Sequence, residues 1–324
     1  MTVKDPISNV SVFSTGSVAI RPEHVGPTRQ NMYLWLLTSR RWTQPLPVNV
    51  YVVEHRDGLV LFDTGQDRAS VTDPRYFPSG LNGLVYSRLA KFEIEPDQTL
   101  SAGLRRLGHD VGDVRIAVIS HLHQDHIGGL PDLAQSELLV SRSEWRSLHK
   151  PLPEVRGLMP DHIDLPGLRW TQVEPEALAD PGLAPFPSGH DVFGDGSLVL
   201  LPTPGHTPGS VSMVVRRPGR RPLLMVGDLT YDDQLLAVGT LPGVGDKRQM
   251  RVATRMVNDL RAALPGLVVL PAHDPSAAQR LLAALDVDDP ASCAARARWR
   301  HDGGRAGDPR APIDSTTRRS SCSR

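Results

Sequence analysis

Side chains that bind metal ions are concentrated in one short segment of the chain. Three imidazoles and one carboxylate occur within six residues, His121-Leu122-His123-Gln124-Asp125-His126. The segment follows directly on the apolar run 116–120, which predicts a buried strand. Imidazole and carboxylate groups suit zinc and similar divalent ions. Burying them at a strand end is costly unless a metal ion satisfies them, so we interpret the segment as part of a metal site.

The spacing within this segment suits a pair of ions. His121 and His123 are two residues apart in an extended loop and can point the same way. Asp125 and His126 can turn toward a second ion as the loop bends into a helix at 127–129. Four further polar residues also follow predicted strands: Asp63, His206, Asp228 and His273.

The elements that must position these groups are predicted from hydrophobic periodicity and turn residues. We predict strands at 32–37, 48–53, 59–62, 115–119, 138–140, 197–201, 210–215, 223–226 and 268–270. We predict helices at 98–107, 143–148, 246–264 and 275–285, and an edge strand or hairpin within 1–20. Strands and helices alternate in both halves of the chain. This pattern favours two sheets packed face to face with helices outside, and a site along one sheet edge.

Two segments rich in proline and glycine have less regular patterns. Residues 150–195 read as a surface excursion. Residues 66–96 also contain several aromatic residues, which suit a packed loop or a lid over a pocket. The same aromatic residues would serve a substrate pocket or a homodimer interface equally well.

The composition excludes several classes of protein. Of 324 residues, 40% are hydrophobic and 22% charged, and Lys+Arg and Asp+Glu balance at 36 each, so overall charge favours neither nucleic acid nor an acidic membrane. No apolar run approaches the roughly 18 residues of a membrane span. The N-terminal residues lack a signal-peptide pattern, which predicts a cytoplasmic protein. The two cysteines, Cys293 and Cys322, lie near the C-terminus, so the core has no thiolate ligand.

The ligand motifs are similar to those of a known protein family. The segment 121–126, together with His206, Asp228 and His273, resembles the metallo-β-lactamase-fold hydrolases. Asp63-Thr64-Gly65, Pro204-Gly205-His206-Thr207 and Gly227-Asp228 are also similar to strand-end motifs of that superfamily. The resemblance implies an α/β fold, a metallo-β-lactamase-like αββα four-layer sandwich, for the hydrolase domain 1–286. The Arg-rich remainder, 287–324, reads as a disordered tail.

The resemblance also implies a ligand set and a mechanism. It assigns His121, His123 and His206 to one ion, and Asp125, His126 and His273 to the other. Asp228 bridges the two, which are expected to be zinc, although other divalent metals would also fit. Two such ions share a water and lower its pKa, and the resulting bridging hydroxide attacks the substrate. Asp125 is then a candidate proton shuttle to the leaving group, and Asp63 would orient a ligand loop.

Within the superfamily, the motifs are most similar to the N-acyl-homoserine lactonases. Asp228 stands where β-lactamases of this fold commonly have cysteine, and His123 stands where diiron flavoproteins have glutamate. Tyr231 follows the bridging aspartate by three positions, as in the lactonases, where its phenol can donate to the substrate carbonyl. The segment 138–144 is similar to that family too. Gln124 departs from it, because well-known lactonases often have a bulky apolar residue there.

The leading interpretation is therefore a metal-dependent hydrolase that opens the lactone ring of N-acyl homoserine lactones. A thioesterase of the glyoxalase II kind and a mononuclear iron persulfide dioxygenase are the alternatives. A non-catalytic protein stabilised by metal is a further, less favoured one. The remaining histidines lack strand-end contexts and are predicted to lie outside the site: His24, His55, His109, His149, His162, His190 and His301.

Overall fold

Two β-sheets make up the framework of the structure, a computed structural model that describes residues 4–30 and 32–286. The first sheet has the order β4-β1-β2-β3-β5-β6-β7, and the second has the order β13-β12-β11-β10-β9-β8. The strands of the first sheet are β1 Ile7–Ile20, β2 Leu46–His55, β3 Gly58–Phe62, β4 Ala90–Glu93, β5 Val114–Val118, β6 Glu137–Ser141 and β7 Arg169–Val173. Those of the second are β8 Glu176–Ala177, β9 Ser188–Asp191, β10 Leu198–Pro202, β11 Val211–Val215, β12 Leu223–Gly227 and β13 Val268–Pro271.

The directions of the strands bring the predicted ligands to one edge of each sheet. In the first sheet β3 and β5 run parallel, so Asp63 and the segment 121–126 follow at the same edge. In the second sheet β11 is antiparallel to both β10 and β12, and β13 is parallel to β12. The carboxyl ends of β10, β12 and β13 therefore share one edge, and the next polar residues after them are the other predicted ligands.

Helices cover the outer face of each sheet. The helices are α1 Pro22–Val25, α2 Met32–Thr38, α3 Ala69–Thr72, α4 Gly80–Leu89, α5 Leu100–Arg106, α6 Gln124–Ile127, α7 Arg142–Leu148, α8 Pro160–Ile163, α9 Asp233–Ala237, α10 Lys247–Ala263 and α11 Ala277–Asp286. Leu100 and Leu104 of α5 pack on Leu59 and Leu61 of β3. In the second half, residues of α9 and α10 form one buried cluster with β10, β11, β12 and β13.

The inner faces of the sheets pack against each other. Leu59, Val60, Leu61 and Phe62 of β3 are all buried, although alternate side chains of a strand point to opposite faces. Strands buried on both faces are expected where helices cover one side and another sheet covers the other. Direct hydrogen bonds join the sheets as well, since the Tyr51 hydroxyl donates to the Pro271 carbonyl at 2.7 Å. The four-layer α/β sandwich predicted from the sequence is confirmed.

Two local predictions were wrong. The run 32–37 forms helix α2 instead of a strand, and Leu34 and Leu37 lie exposed beside buried Trp35 and Leu36. The N-terminal strand β1 is not at an edge, because β2 and β4 pair with its two sides.

The two segments rich in proline and glycine are also more ordered than predicted. Residues 66–96 contain α3, α4 and β4, and residues 150–195 contain strands β7, β8 and β9. Tyr76 and Tyr86 of the first segment pack with Met159 in a buried cluster. This packing favours the packed loop over the lid.

No helix within residues 4–30 and 32–286 combines the length and the hydropathy of a membrane span. The predicted tail 287–324, with both cysteines, lies outside the described residues, so the division at residue 286 stays a prediction.

Candidate metal centre

Three histidines converge at one end of the candidate site. His121 Nε2 and His206 Nε2 each lie 3.0 Å from His123 Nδ1. The three nitrogens lie within 4.8 Å of one another, and these residues are the set that the family resemblance assigns to the first ion. Zinc bound at about 2.0–2.1 Å in a tetrahedron holds its ligand atoms about 3.3 Å apart, so this spacing is close to that of a coordination shell.

A second group lies beside the first. His273 Nε2 is 3.4 Å from Asp125 Oδ2, and His126 Nε2 is 3.8 Å from Asp125 Oδ1. These three side chains form the group predicted for the second ion. Their distances are also close to the edge of a zinc tetrahedron.

Asp228 lies between the two groups. Its Oδ1 is 3.3 Å from both His126 Nε2 and His273 Nε2, and its Oδ2 is 3.5 Å from His206 Nε2. One carboxylate oxygen therefore faces each group, which is the arrangement a bridging ligand needs.

Buried polar atoms without partners show that the residues fit a metal pair. His126 Nε2 and Asp228 Oδ1 are both buried and have no hydrogen-bond partner among the described residues. Leaving such atoms unsatisfied costs free energy, whereas a cation would satisfy both. The donor set, five imidazoles and two carboxylates, matches the ligands that zinc and related ions take.

The outer nitrogens of four of these rings are held by oxygen atoms of the chain. His126 Nδ1 donates to Asp63 Oδ2 at 2.8 Å, and His121 Nδ1 lies 3.0 Å from Ser120 Oγ, which itself donates to Asp63. His123 Nε2 donates to the Arg156 carbonyl at 3.1 Å. These contacts fix each tautomer and direct the other nitrogen to the centre.

The His273 ring follows the second sheet but is held in the same way by a carbonyl of the first sheet. Its Nδ1 donates to the Pro47 carbonyl at 2.9 Å.

Asp63 adopts a left-handed backbone conformation with φ 62°, which is uncommon outside glycine and typical of functional sites. Its predicted role of orienting a ligand loop therefore has a structural basis.

The two groups differ in charge. Burial, together with the neighbouring imidazoles, lowers the pKa of His121 well below its usual value, and burial lowers that of His206 to about 3. Burial opposes protonation of His126 too, but the charges of Asp63, Asp228 and Asp125 outweigh it and raise its pKa. His121 and His206 are therefore uncharged at pH 7, whereas the environment of His126 favours a proton that a bound metal ion would displace.

Comparison with known proteins identifies the family. The metallo-beta-lactamase superfamily model matches residues 43–286. The chain belongs to this superfamily. N-acyl homoserine lactonase AttM of Agrobacterium fabrum is a superfamily relative that is 33% identical over 240 residues, which cover 72% of this chain and 83% of that protein.

Solved structures of lactonases have the same superfamily fold. An N-acyl homoserine lactone hydrolase with N-hexanoyl-L-homoserine at its catalytic metal center matches with a TM-score of 0.65 and 20% identity. The match covers 85% of this chain and 95% of that one. AidC, a dizinc quorum-quenching lactonase, matches with a TM-score of 0.54 and 16% identity, covering 84% and 91%. At these identities the similarity shows the fold alone.

Tyr231 lies next to the candidate metal centre. Its hydroxyl donates to Asp228 Oδ2 at 3.2 Å, and its ring stacks on His273 with centroids 5.6 Å apart. Burial, followed by the negative charge of Asp228, raises the pKa of the Tyr231 phenol well above its usual value. The phenol therefore keeps its proton and is a hydrogen-bond donor at neutral pH.

A buried carboxylate that the sequence analysis did not single out joins two of the ligand loops. Glu144 Oε1 accepts from Leu122 N at 3.1 Å, in the loop that carries His121 and His123. Its Oε2 accepts from Thr207 Oγ1 at 2.7 Å and from Gly209 N at 3.0 Å, just after His206. Glu144 was noted only as part of the lactonase-like segment 138–144, because its role depends on contacts distant in sequence.

His24, predicted to lie outside the site, belongs to α1, and its carbonyl accepts a hydrogen bond from Gly243 N at 2.7 Å. Burial lowers the pKa of its imidazole to about 4, and the negative charges of Asp228 and Asp125 partly oppose this. Gln124, the departure from the lactonase pattern, is buried, and its Oε1 has no hydrogen-bond partner in the described chain.

Proposed function

We propose that the chain is a dinuclear zinc hydrolase that opens the lactone ring of N-acyl homoserine lactones. The observation that carries the proposal is the arrangement around Asp228. Its two oxygens face two separate ligand groups, and the Tyr231 hydroxyl lies 3.2 Å from one of them. The sequence similarity to N-acyl homoserine lactonase AttM over most of both chains supports the same substrate class.

The proposed roles follow from the geometry of the side chains. When bound, the metal pair lowers the pKa of the attacking water and polarises the electrophilic carbonyl. The Tyr231 hydroxyl donates a hydrogen bond to the substrate carbonyl oxygen. This oxygen becomes more negative as the tetrahedral centre forms, so the hydrogen bond strengthens. Asp228 contacts both ligand groups and keeps them next to each other.

Asp125 is the proposed proton carrier. Burial opposes its ionisation, but the charges of His126 and His273 outweigh burial and lower its pKa to about 2. The carboxylate is therefore ionised at neutral pH. It can accept the proton released by the attacking water and pass it to the leaving alkoxide of the opened lactone.

Metal analysis combined with a substrate panel tests the proposal. We expect two zinc ions per chain and release of acid from N-acyl homoserine lactones, with little activity on thioesters and phosphodiesters. Tyr231→Phe should lower kcat/KM about 10- to 100-fold, because one donor to the developing oxyanion is lost, with metal content unchanged. Preferred cleavage of a thioester would refute the proposal in favour of a thioesterase, and a single iron per chain would favour a persulfide dioxygenase.

A further inference from the structure

The direction of the Tyr231 hydroxyl depends on two segments of the second half of the chain. Tyr231 lies between β12 and α9, and His273 follows β13. The two rings stack with centroids 5.6 Å apart and an interplanar angle of 18°. The position of the phenol therefore depends on how these two segments are held together.

The carboxylate of Asp274 joins the two segments. Asp274 directly follows His273, and its side chain is buried. Its Oδ2 accepts a hydrogen bond from Asp233 N at 3.2 Å. Asp233 is the first residue of α9 and comes two residues after Tyr231. One carboxylate oxygen thus connects the turn that carries Tyr231 to the turn that carries His273.

Two further donors fix the Asp274 carboxylate itself. Its Oδ1 accepts from Ser276 N at 2.7 Å, and its Oδ2 accepts from Arg280 Nη2 at 2.7 Å. Arg280 Nη2 also donates to the Val269 carbonyl in β13 at 3.1 Å. Hydrogen bonds between charged groups are stronger than neutral ones, so this carboxylate is a firm acceptor for Asp233 N.

The turn between Tyr231 and α9 is short and closed by its own hydrogen bonds. Thr230 Oγ1 donates to the Asp232 carbonyl at 2.8 Å, and Asp232 N donates to Thr230 Oγ1 at 3.3 Å. A turn closed in this way moves as a unit, so a displacement of Asp233 N would also displace Tyr231. The direction of the hydroxyl that donates to Asp228 would change with it.

We propose that Asp274 positions the Tyr231 phenol for the substrate carbonyl, through the hydrogen bond to Asp233 N and the stack on His273. The inference rests on the proposed lactonase function and adds a positioning residue to it. A group that stabilises a transition state must be placed closely, because a shift of about 1 Å can cost about 100-fold in rate.

Three variants separate this role from a purely structural one. Asp274→Asn leaves a single acceptor oxygen where three donors converge. Asp233→Pro removes the N–H that Asp274 accepts from. Proline suits the first position of a helix, and Asp232 before it is already extended, with φ −156° and ψ 137°. Asp233→Ala is the matched reference, because it keeps this N–H and removes only the side chain that pairs with Arg261.

Each variant is made in the wild-type chain and in Tyr231→Phe, and assayed on N-hexanoyl homoserine lactone with zinc in excess. We expect Asp274→Asn to lower kcat about tenfold with KM within about twofold, because the phenol acts mainly in the transition state. Asp233→Pro should lower kcat about fivefold relative to Asp233→Ala. In Tyr231→Phe both losses should shrink to about twofold or less, because the hydroxyl to be positioned is absent.

Metal analysis gives a readout that does not depend on activity. We expect every variant to keep two zinc ions per chain, because the His273 ring retains its contact with the Pro47 carbonyl. Asp233→Pro also leaves the contacts of Asp274 with Ser276 and Arg280 in place, so it tests the role even if Asp274→Asn does not fold.

Losses of equal size with and without the Tyr231 hydroxyl would overturn the role of Asp274. Equal kcat for Asp233→Pro and Asp233→Ala, or loss of zinc from Asp233→Pro, would overturn it as well. These outcomes leave the lactonase proposal intact. A wild-type chain that opens no N-acyl homoserine lactone would refute the lactonase proposal, and the positioning of Tyr231 for this substrate with it.

Discussion

Replacement of Glu144 by glutamine tests whether this carboxylate holds the ligand loops together. The side chain is fully buried and accepts from three donors. In its better orientation the new amide keeps an oxygen toward Thr207 and Gly209 but turns an NH₂ toward Leu122 N. Two donors then face each other with no acceptor between them.

The cost can be worked out from these contacts. A buried donor left without a partner costs about 1–3 kcal/mol, and the Glu144→Gln variant has two such groups, so we expect a loss of about 2–6 kcal/mol in the free energy of unfolding. The opposite orientation of the amide would leave more donors unpaired and would cost at least as much. The affinity for zinc should also fall about tenfold, because both loops carry ligands of the first group.

Urea unfolding of the metal-free protein and chelator competition on the zinc-loaded protein measure the two effects. Glu174→Gln is the matched control, because Glu174 makes a 2.7 Å ion pair with Arg142 in which both side chains are about half exposed. Such surface pairs contribute about 0–1 kcal/mol. A Glu144→Gln variant that loses no more stability than Glu174→Gln, and retains zinc as tightly as wild type, would refute this reasoning.

Three further perturbations follow from contacts around the centre. Gly157→Ala should weaken zinc binding about 10- to 100-fold, because φ at Gly157 is 81° and a Cβ there would lie 2.8 Å from the His123 ring; unchanged binding in a chelator titration would contradict this. Asp63→Asn should lower the affinity for one of the two ions by a similar factor, because the carboxylate that accepts from His126 Nδ1 is lost. Two ions bound as tightly as in wild type would count against this prediction. Below pH 6.5 the unfolded chain takes up a proton on His24 that the folded imidazole resists down to about pH 4, so wild-type stability should fall with acidification over that range. His24→Phe should remove roughly 1–2 kcal/mol of that fall between pH 7 and 5, measured by urea unfolding, and an identical pH profile would refute it.

Most of the centre could be predicted from the sequence because its ligands follow strands. The polar residues after β5, β10, β12 and β13 each interrupt an apolar run, so their positions stand out. Parallel strand direction then brings them to one edge. The order of strands in each sheet is not local information, so it could not be predicted from the sequence, and the resemblance to a known superfamily supplied only the four-layer sandwich.

The errors arose where local patterns are ambiguous. An apolar run of six residues such as 32–37 fits a short strand or a helix equally well. In the structure, neighbouring residues Trp35 and Leu36 are buried together while Leu34 and Leu37 are exposed, a spacing that suits a helix. The contacts of Glu144 and His24 join segments far apart in sequence, so no window of residues could have revealed them.

The first sheet ends at Val173 and the second begins at Glu176, so the chain forms its two sheets one after the other. Four of the proposed ligands precede this junction, and three follow it: His206, Asp228 and His273. The first group lacks His206 without the C-terminal half, and the second lacks His273. Two polypeptides divided at this junction would therefore need each other to enclose either ion, and added zinc should drive their reassembly.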